Sequence, residues 1–314
     1  MKLSHLSARG VRGLPDLDVD LTASTGRPFD LVVITGPEAS GKTRLCELIL
    51  AGLERIGPYE GIVRASDWVR GPRESARLEL GIWLDDGERE AFGDLGGRVV
   101  VSFGPEGVVC DASRELKRLV SRYDHDPSHG KREYFPEHRQ RSWGGRLDGL
   151  GELEQSLWRA SKDPQKYSAI PRFLDGLEDD PARRRVFEGA LDRLAPGIRF
   201  SPGAQPDART AMGRLANRTF FAAHGGALRL SDLSSSEADA VIIAATAAMI
   251  GLGHSVVLLD RPELHVDPKR LAPWVLGLSG LGAENQWIVA TQRAALVSAV
   301  DPAQVVDLAQ GAAR

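Results

Sequence analysis

Cysteine is almost missing: the 314 residues hold only Cys46 and Cys110, far apart, with no Cys-x-x-Cys or Cys/His spacing between them. That argues against a disulfide framework and a structural zinc site, and it points to a reducing, cytoplasmic setting. An excess of either charge is missing as well. Forty Lys and Arg stand against 43 Asp and Glu for a net charge of −3, which with 42% apolar residues excludes the disordered, fibrous and nucleic-acid-coating classes. Lysine itself is rare, only seven residues, so the basic charge is carried by arginine. It clusters at Lys131 to Arg146 and at Arg183 to Arg185, beside Glu133, Glu137 and Glu178 to Asp180, and reads either as a solvated face or as a phosphate-binding patch. The start, Met1-Lys2-Leu3-Ser4-His5, lacks the apolar run of a secretory signal, so the chain is expected to begin at Met1. Ala240 to Leu259 carries no charge over twenty residues, but Gly251-Leu252-Gly253-His254 interrupts it, and no membrane insertion is expected.

What is present is α/β order. Lys2 to Leu6 and Leu17 to Leu21 alternate as antiparallel strands around Gly10, Gly13 and Pro15. Leu31 to Thr35 is a continuous apolar run, the mark of a strand covered on both faces, and Thr43 to Ile56 then has helical periodicity. Strand-like runs at Leu78 to Leu84, Arg98 to Phe103 and Val108 to Cys110 are separated by Asp85-Asp86-Gly87 and Gly104-Pro105. A helix follows at Ser113 to Arg122, then a polar helical stretch from about Gly145 to Leu194. Alternation resumes with strands at 219–222 and 227–230, a helix at 235–250, a strand at 256–259, a helix from Pro268, and strands at 287–290 and 305–308. The expected layout is residues 1–144 as the N-terminal part of one α/β domain, 145–215 as a helical lobe, and 216–314 as the C-terminal part.

Gly36-Pro37-Glu38-Ala39-Ser40-Gly41-Lys42-Thr43 matches G-x-x-x-x-G-K-[ST] between a buried strand and a helix. Glycines let inward-facing N–H groups wrap a phosphate, the helix N-terminus adds positive potential, Lys42 reaches the outer phosphates, and Thr43 can bind Mg²⁺. Gly36, Ser40, Gly41, Lys42 and Thr43 are thus the candidate nucleotide-binding residues.

Further segments carry a family likeness. Ser255 to His265, with Asp260-Arg261-Pro262-Glu263-Leu264-His265 at its end, resembles the Walker B strand of ABC-type ATPases in the "DEPELH" form of the RecF/SMC-like branch. Leu233-Ser234-Ser235-Ser236-Glu237 resembles the ABC signature "LSSGE", and Gly10-Val11-Arg12-Gly13 before Leu17 to Leu21 resembles the branch's opening segment. Tyr134-Phe135-Pro136-Glu137-His138-Arg139 is similar to a segment found near the Q-loop. The resemblance implies a P-loop NTPase α/β fold, ABC-ATPase-like, with a mainly parallel sheet, an antiparallel β subdomain and a helical lobe. It also implies ATP and Mg²⁺ as cofactors, Thr43 and Asp260 as metal ligands, Gln140 as Q-loop residue and Asp267 as D-loop acid. Two chains, identical or not, would sandwich ATP, with Ser235 and Ser236 approaching the partner's γ-phosphate. Ser234 and Glu237 equally satisfy the S-x-x-E pattern of a helix capping box.

The likeness breaks at the hydrolytic positions. Arg261 stands where the family has the glutamate that activates water, and a guanidinium accepts no proton. Ser236 replaces the signature glycine, and Gln292, in Ala290-Thr291-Gln292-Arg293, replaces the switch histidine. Glu263, Gln292 and Arg261 are therefore the candidates for whatever catalysis remains. Arg261 is either a phosphate clamp or a surface arginine paired with a carboxylate. ATP hydrolysis is expected to be slow or partner-dependent. Two functions fit: an ATP-gated dimerising switch serving a separate effector in DNA repair, DNA maintenance or anti-phage defence, or a scaffold that holds ATP as a structural ligand and ignores DNA. Arg139, Arg141 and Arg146 would line a basic groove in the DNA version.

Overall fold

A computed structural model of the chain describes residues 1–56, 64–93, 97–121, 131–139, 162, 164–201, 219–222 and 225–309. They form two compact units, one of residues 1–137, 253–262 and 283–314 and one of residues 138–252 and 263–282. Of the helical lobe expected at 145–215, residues 145–161, 163 and 202–215 lie outside the described residues, and the described remainder belongs to the second unit.

The first unit holds two sheets. An antiparallel sheet has the order β2-β1-β4-β5-β6, built from β1 (Lys2–Arg9), β2 (Leu17–Asp20), β4 (Ala76–Trp83), β5 (Gly97–Gly104) and β6 (Gly107–Asp111). Its alternation is that of a sheet buried on one face: Ala76, Leu78, Leu80 and Ile82 point inward, while Glu79 turns out to meet Arg98 at 2.7 Å. The register shifts between Leu3 and His5 opposite Gly81, where a Cβ would lie 2.8 Å from Ser4 Oγ. That bulge needs the glycine.

The other sheet is wholly parallel, in the order β13-β3-β12-β11-β7, with β3 (Leu31–Thr35), β7 (Lys131–Phe135), β11 (Ser255–Asp260), β12 (Gln286–Ala290) and β13 (Val305–Asp307). Its central strands are apolar runs because both faces are covered; every residue of β11 and β12 is buried. Helix α1 (Lys42–Glu54) turns Leu45, Leu48, Ile49 and Leu53 into this core. Two other helices, α2 (Asp86–Phe92) and α3 (Arg114–Ser121), complete this unit's longer helices among the described residues.

In the second unit β8 (Ile198–Ser201), β9 (Thr219–Ala222) and β10 (Ala227–Arg229) form an antiparallel ribbon, accompanied by α4 (Ile170–Gly176), α5 (Pro181–Leu194), α6 (Ser235–Ile250) and α7 (Leu271–Leu278). Phe187 and Phe200 meet edge to face at 5.3 Å, and Phe220 follows at 5.4 Å from Phe200. Helix α6 is buried without interruption from Ala238 to Ala248, because α4 and α5 pack on it. This central burial explains the charge-free run, and among the described residues no helix is long and apolar enough to cross a membrane.

Four elements depart from the sequence reading. Asp85-Asp86-Gly87 is not a mere break: Asp85 caps α2, its carboxylate accepting from Glu88 N–H at 2.9 Å while Glu88 accepts from Asp85 N–H at 3.1 Å. Lys131–Phe135 and Ile198–Ser201 are additional strands. The helix placed at Pro268 starts instead at Leu271, because Asp267 takes the N–H groups of Lys269 and Arg270 into a turn at 2.8 and 2.9 Å.

Candidate nucleotide-binding site

Parallel strands bring their C-terminal ends to one edge of a sheet, and here the register sets Ile34 beside Ala290, Ala290 beside Asp260, and Leu259 beside Phe135. Segments distant in sequence therefore converge. At this edge the chain leaves β3 through Gly36 to Gly41 and enters α1 at Lys42.

The loop's glycines are required by geometry. Gly36 and Gly41 have φ of 149° and 94°, conformations that side chains disfavour. A Cβ on Gly36 would lie 2.6 Å from Ser40 Oγ, and one on Gly41 would meet the Gly13 carbonyl and approach Leu14 Cδ2 to 2.6 Å. The loop is thus backed by the turn between β1 and β2. Arg70 secures that turn by donating to Leu14 O at 3.0 Å and to Asp16 at 2.9 Å. Arg44, from α1, donates to Arg12 O at 3.4 Å and stacks 3.9 Å over Trp68. Gly10 to Gly13, noted in the sequence as a family-like opening, therefore has a physical partner in the phosphate loop.

Lys42 is buried, and its ammonium donates to Gly36 O at 3.0 Å and Pro37 O at 2.6 Å. It lines a cleft of about 340 Å³ with Thr43, Glu38, Glu47, Arg261 and Gln292. Arg261, directly after β11, has a left-handed backbone with φ of 48°, held by its N–H donating to Ala290 O at 2.9 Å. Its guanidinium donates from Nη1 to Glu137 Oε2 at 3.0 Å. Arg261 thus pairs with a carboxylate and also lines the cleft.

Asp260 is fully buried at the end of β11. Burial first, then the charges of Asp260 and Glu47, push the Cys46 thiol well above its usual range. Burial likewise leads, with Cys46, Asp260, Glu47 and Glu137 following, in pushing the Tyr134 phenol upward. These carboxylates gather negative potential beside the phosphate loop. Oxygen donors from Asp260 and Thr43 fit a hard divalent cation, and the lysine, loop amides and α1 N-terminus fit phosphate.

The first unit thus assembles Gly36, Ser40, Gly41, Lys42, Thr43, Asp260, Arg261 and Gln292. Ser235, Ser236 and Glu263 belong to the second unit. There Ser234 and Glu237 close the capping box, Ser234 N–H donating to Glu237 Oε2 at 2.8 Å and Ser234 Oγ accepting from Glu237 N–H at 3.4 Å. Ser235 and Ser236 sit exposed on the first turn of α6, and Glu263 is buried in the turn Pro262–Leu264. Gln140, Arg141 and Arg146 lie outside the described residues. Arg139 does not line an exposed groove: it is buried, with Nε donating to Asp239 Oδ1 at 2.5 Å. The sequence reading overlooked Glu137 as Arg261's partner and Glu47 as a cleft residue; the only signal was Glu137's place in the Tyr134 to Arg139 motif.

Strand, glycine loop, helix and parallel sheet together define a P-loop fold. No protein-family model and no curated sequence matches the chain. Among solved structures it resembles an SMC head bound to the C-winged helix domain of ScpA, at 16% identity over 96% of this chain and 93% of that one, with a TM-score of 0.58. The SMC head domain from Thermotoga maritima follows at 15% identity over 96% and 93%, TM-score 0.52. A third is the Smc head with an extended coiled coil bound to the C-terminal domain of ScpA derived from Pyrococcus furiosus, at 14% over 95% and 92%, TM-score 0.51. The chain has the fold of an SMC head.

Proposed function

We propose that this chain binds Mg-ATP and acts as an ATP-gated dimerising switch of the RecF/SMC-like class, with slow or partner-dependent hydrolysis. The observation that carries the reading is the single cleft shared by Lys42 and Thr43 with Arg261 and Gln292. A lysine and a threonine at a helix N-terminus support phosphate binding, and an arginine stands where the resembled family has its water-activating carboxylate. Bound Mg²⁺, held by Thr43 and Asp260, would neutralise charge on the phosphates. Lys42 would exchange its loop carbonyls for phosphate oxygens, and the backbone amides of the loop would orient them. Arg261 supplies charge but takes no proton, and losing a general base costs about 10²- to 10⁴-fold in rate.

The second unit would contribute Ser235 and Ser236, at the N-terminus of α6, to a nucleotide held by a second chain. Two of the SMC heads it resembles are bound to parts of ScpA, which supports a separate protein partner here; we take that partner to be an effector in DNA repair, DNA maintenance or anti-phage defence. The burial of Arg139 removes one expected DNA contact and favours the second reading, a scaffold that uses ATP as a structural ligand.

Light scattering with and without Mg-ATP, beside phosphate release, tests the proposal on the unsubstituted chain and on Lys42→Ala. Dimerisation that needs ATP and Lys42, with almost no phosphate released, is the expected result. Brisk release that depends on Lys42 would overturn the assignment of Arg261 and make Glu263 the first residue to replace.

A further inference from the structure

Arg261 is fixed at its backbone and shared at its side chain. The hydrogen bond from its N–H to Ala290 O and its left-handed φ leave only the side-chain torsions free, so the guanidinium can move while the chain cannot. Five N–H donors are available, and the contact with Glu137 Oε2 engages Nη1. Arg261 also lines the cleft with Lys42 and Thr43, whereas Glu137 meets the cleft through Arg261. Both side chains are about one third exposed, so the pair is not locked by burial.

We propose that Glu137 is a positioning residue that competes with the terminal phosphate of a nucleoside triphosphate for the Arg261 guanidinium, and so sets the preference of the cleft for triphosphate over diphosphate. This rests on the reading of the cleft as a nucleotide site. Lys42 and the loop amides can hold a phosphate chain with or without its terminal group, but a movable guanidinium on the wall of the same cleft gains most from the ligand that carries the additional charged group. Glu137 holds the guanidinium in reserve at the cleft wall, and its negative charge lowers what Arg261 gives to the phosphate. The pair is a latch that opens on the longer phosphate chain.

The test is Kd for ATP and for ADP, by equilibrium titration of the full chain, for the unsubstituted protein, Glu137→Gln, Arg261→Gln and the double variant. Glu137→Gln is expected to tighten ATP about fivefold and leave ADP within about twofold, since a partly exposed pair is worth about that factor. Arg261→Gln is expected to weaken ATP about tenfold and to erase the effect of Glu137→Gln in the double variant. Unchanged melting temperatures in the absence of nucleotide exclude misfolding as the cause. Equal shifts for ATP and ADP, or an effect of Glu137→Gln that survives in the Arg261→Gln background, overturn the latch while leaving the nucleotide site standing. Failure of the unsubstituted chain to bind ATP overturns the functional reading and the latch with it.

Discussion

Replacing Arg139 by methionine should destabilise the second unit severely, although no ligand is involved. The Arg139 and Asp239 side chains are 0% and 1% exposed, and their charged atoms stand 2.5 Å apart. Methionine fills most of the arginine's volume, so the main loss is the cation, and Asp239 is left as a buried charge without its counter-ion. Breaking a buried pair from one side costs about 3–5 kcal/mol, a large share of a total of about 5–15 kcal/mol. Removing both charges, in Arg139→Met/Asp239→Leu, takes away the stranded Asp239 charge and should recover part of that loss. Urea unfolding followed by far-UV circular dichroism gives the four stabilities of the cycle. The expected order places the double variant above either single one. If Arg139→Met falls within about 1 kcal/mol of the unsubstituted chain, or if the two single losses simply add, the pair is not the buried contact described. A charge reversal at Arg139 that abolished DNA binding would accordingly report unfolding before it reported a lost phosphate contact.

Gly41→Ala should weaken ATP binding at least about tenfold, because the new methyl meets the Gly13 carbonyl and Leu14 from a backbone conformation that alanine resists; titration with a fluorescent ATP analogue measures it. Ser234→Ala should cost about 1 kcal/mol of stability by removing the cap of α6, read as a shift in urea midpoint. Asp85 gives an acid limb: burial raises its pKa, but the Glu88 N–H and the His254 ring outweigh burial and the net direction is downward. A carboxyl lowered on folding stabilises fully above its unfolded value and loses that contribution as pH falls through the folded one, so the difference in stability between the unsubstituted chain and Asp85→Asn should shrink as pH falls below the ordinary carboxylate range.

The phosphate loop was legible because everything it needs is consecutive: an apolar strand, spaced glycines, a lysine and a helix. Asp260, Arg261 and Gln292 were singled out only through likeness to a known family, and the meeting of Arg261 and Gln292 at one cleft follows from strand register, which periodicity does not encode. Strand β7 was not legible, since Arg132 and Glu133 are buried there and break the apolar pattern that marks a covered strand. Arg139 misled for the same reason in reverse, as a run of arginines on the page does not tell which one is folded inward. Helix α2 was hidden because Asp-Gly signals a turn as well as the edge of a capped helix, and only the spacing from Asp85 to Glu88 separates the two.

The backing of Gly41 by Gly13 and Leu14 bears on how genetic data for this chain would be sorted. Variants recovered for loss of nucleotide response should include changes in the Gly10 to Leu14 turn, which packs against the phosphate loop at Gly41. A larger side chain at Leu14 would press on the loop where Leu14 Cδ2 already leaves no space for a Cβ on Gly41. Such alleles would imitate lesions of Lys42 in a cellular assay, yet the purified proteins would differ: one retains its lysine in a displaced cradle, and the other keeps the cradle without the charge.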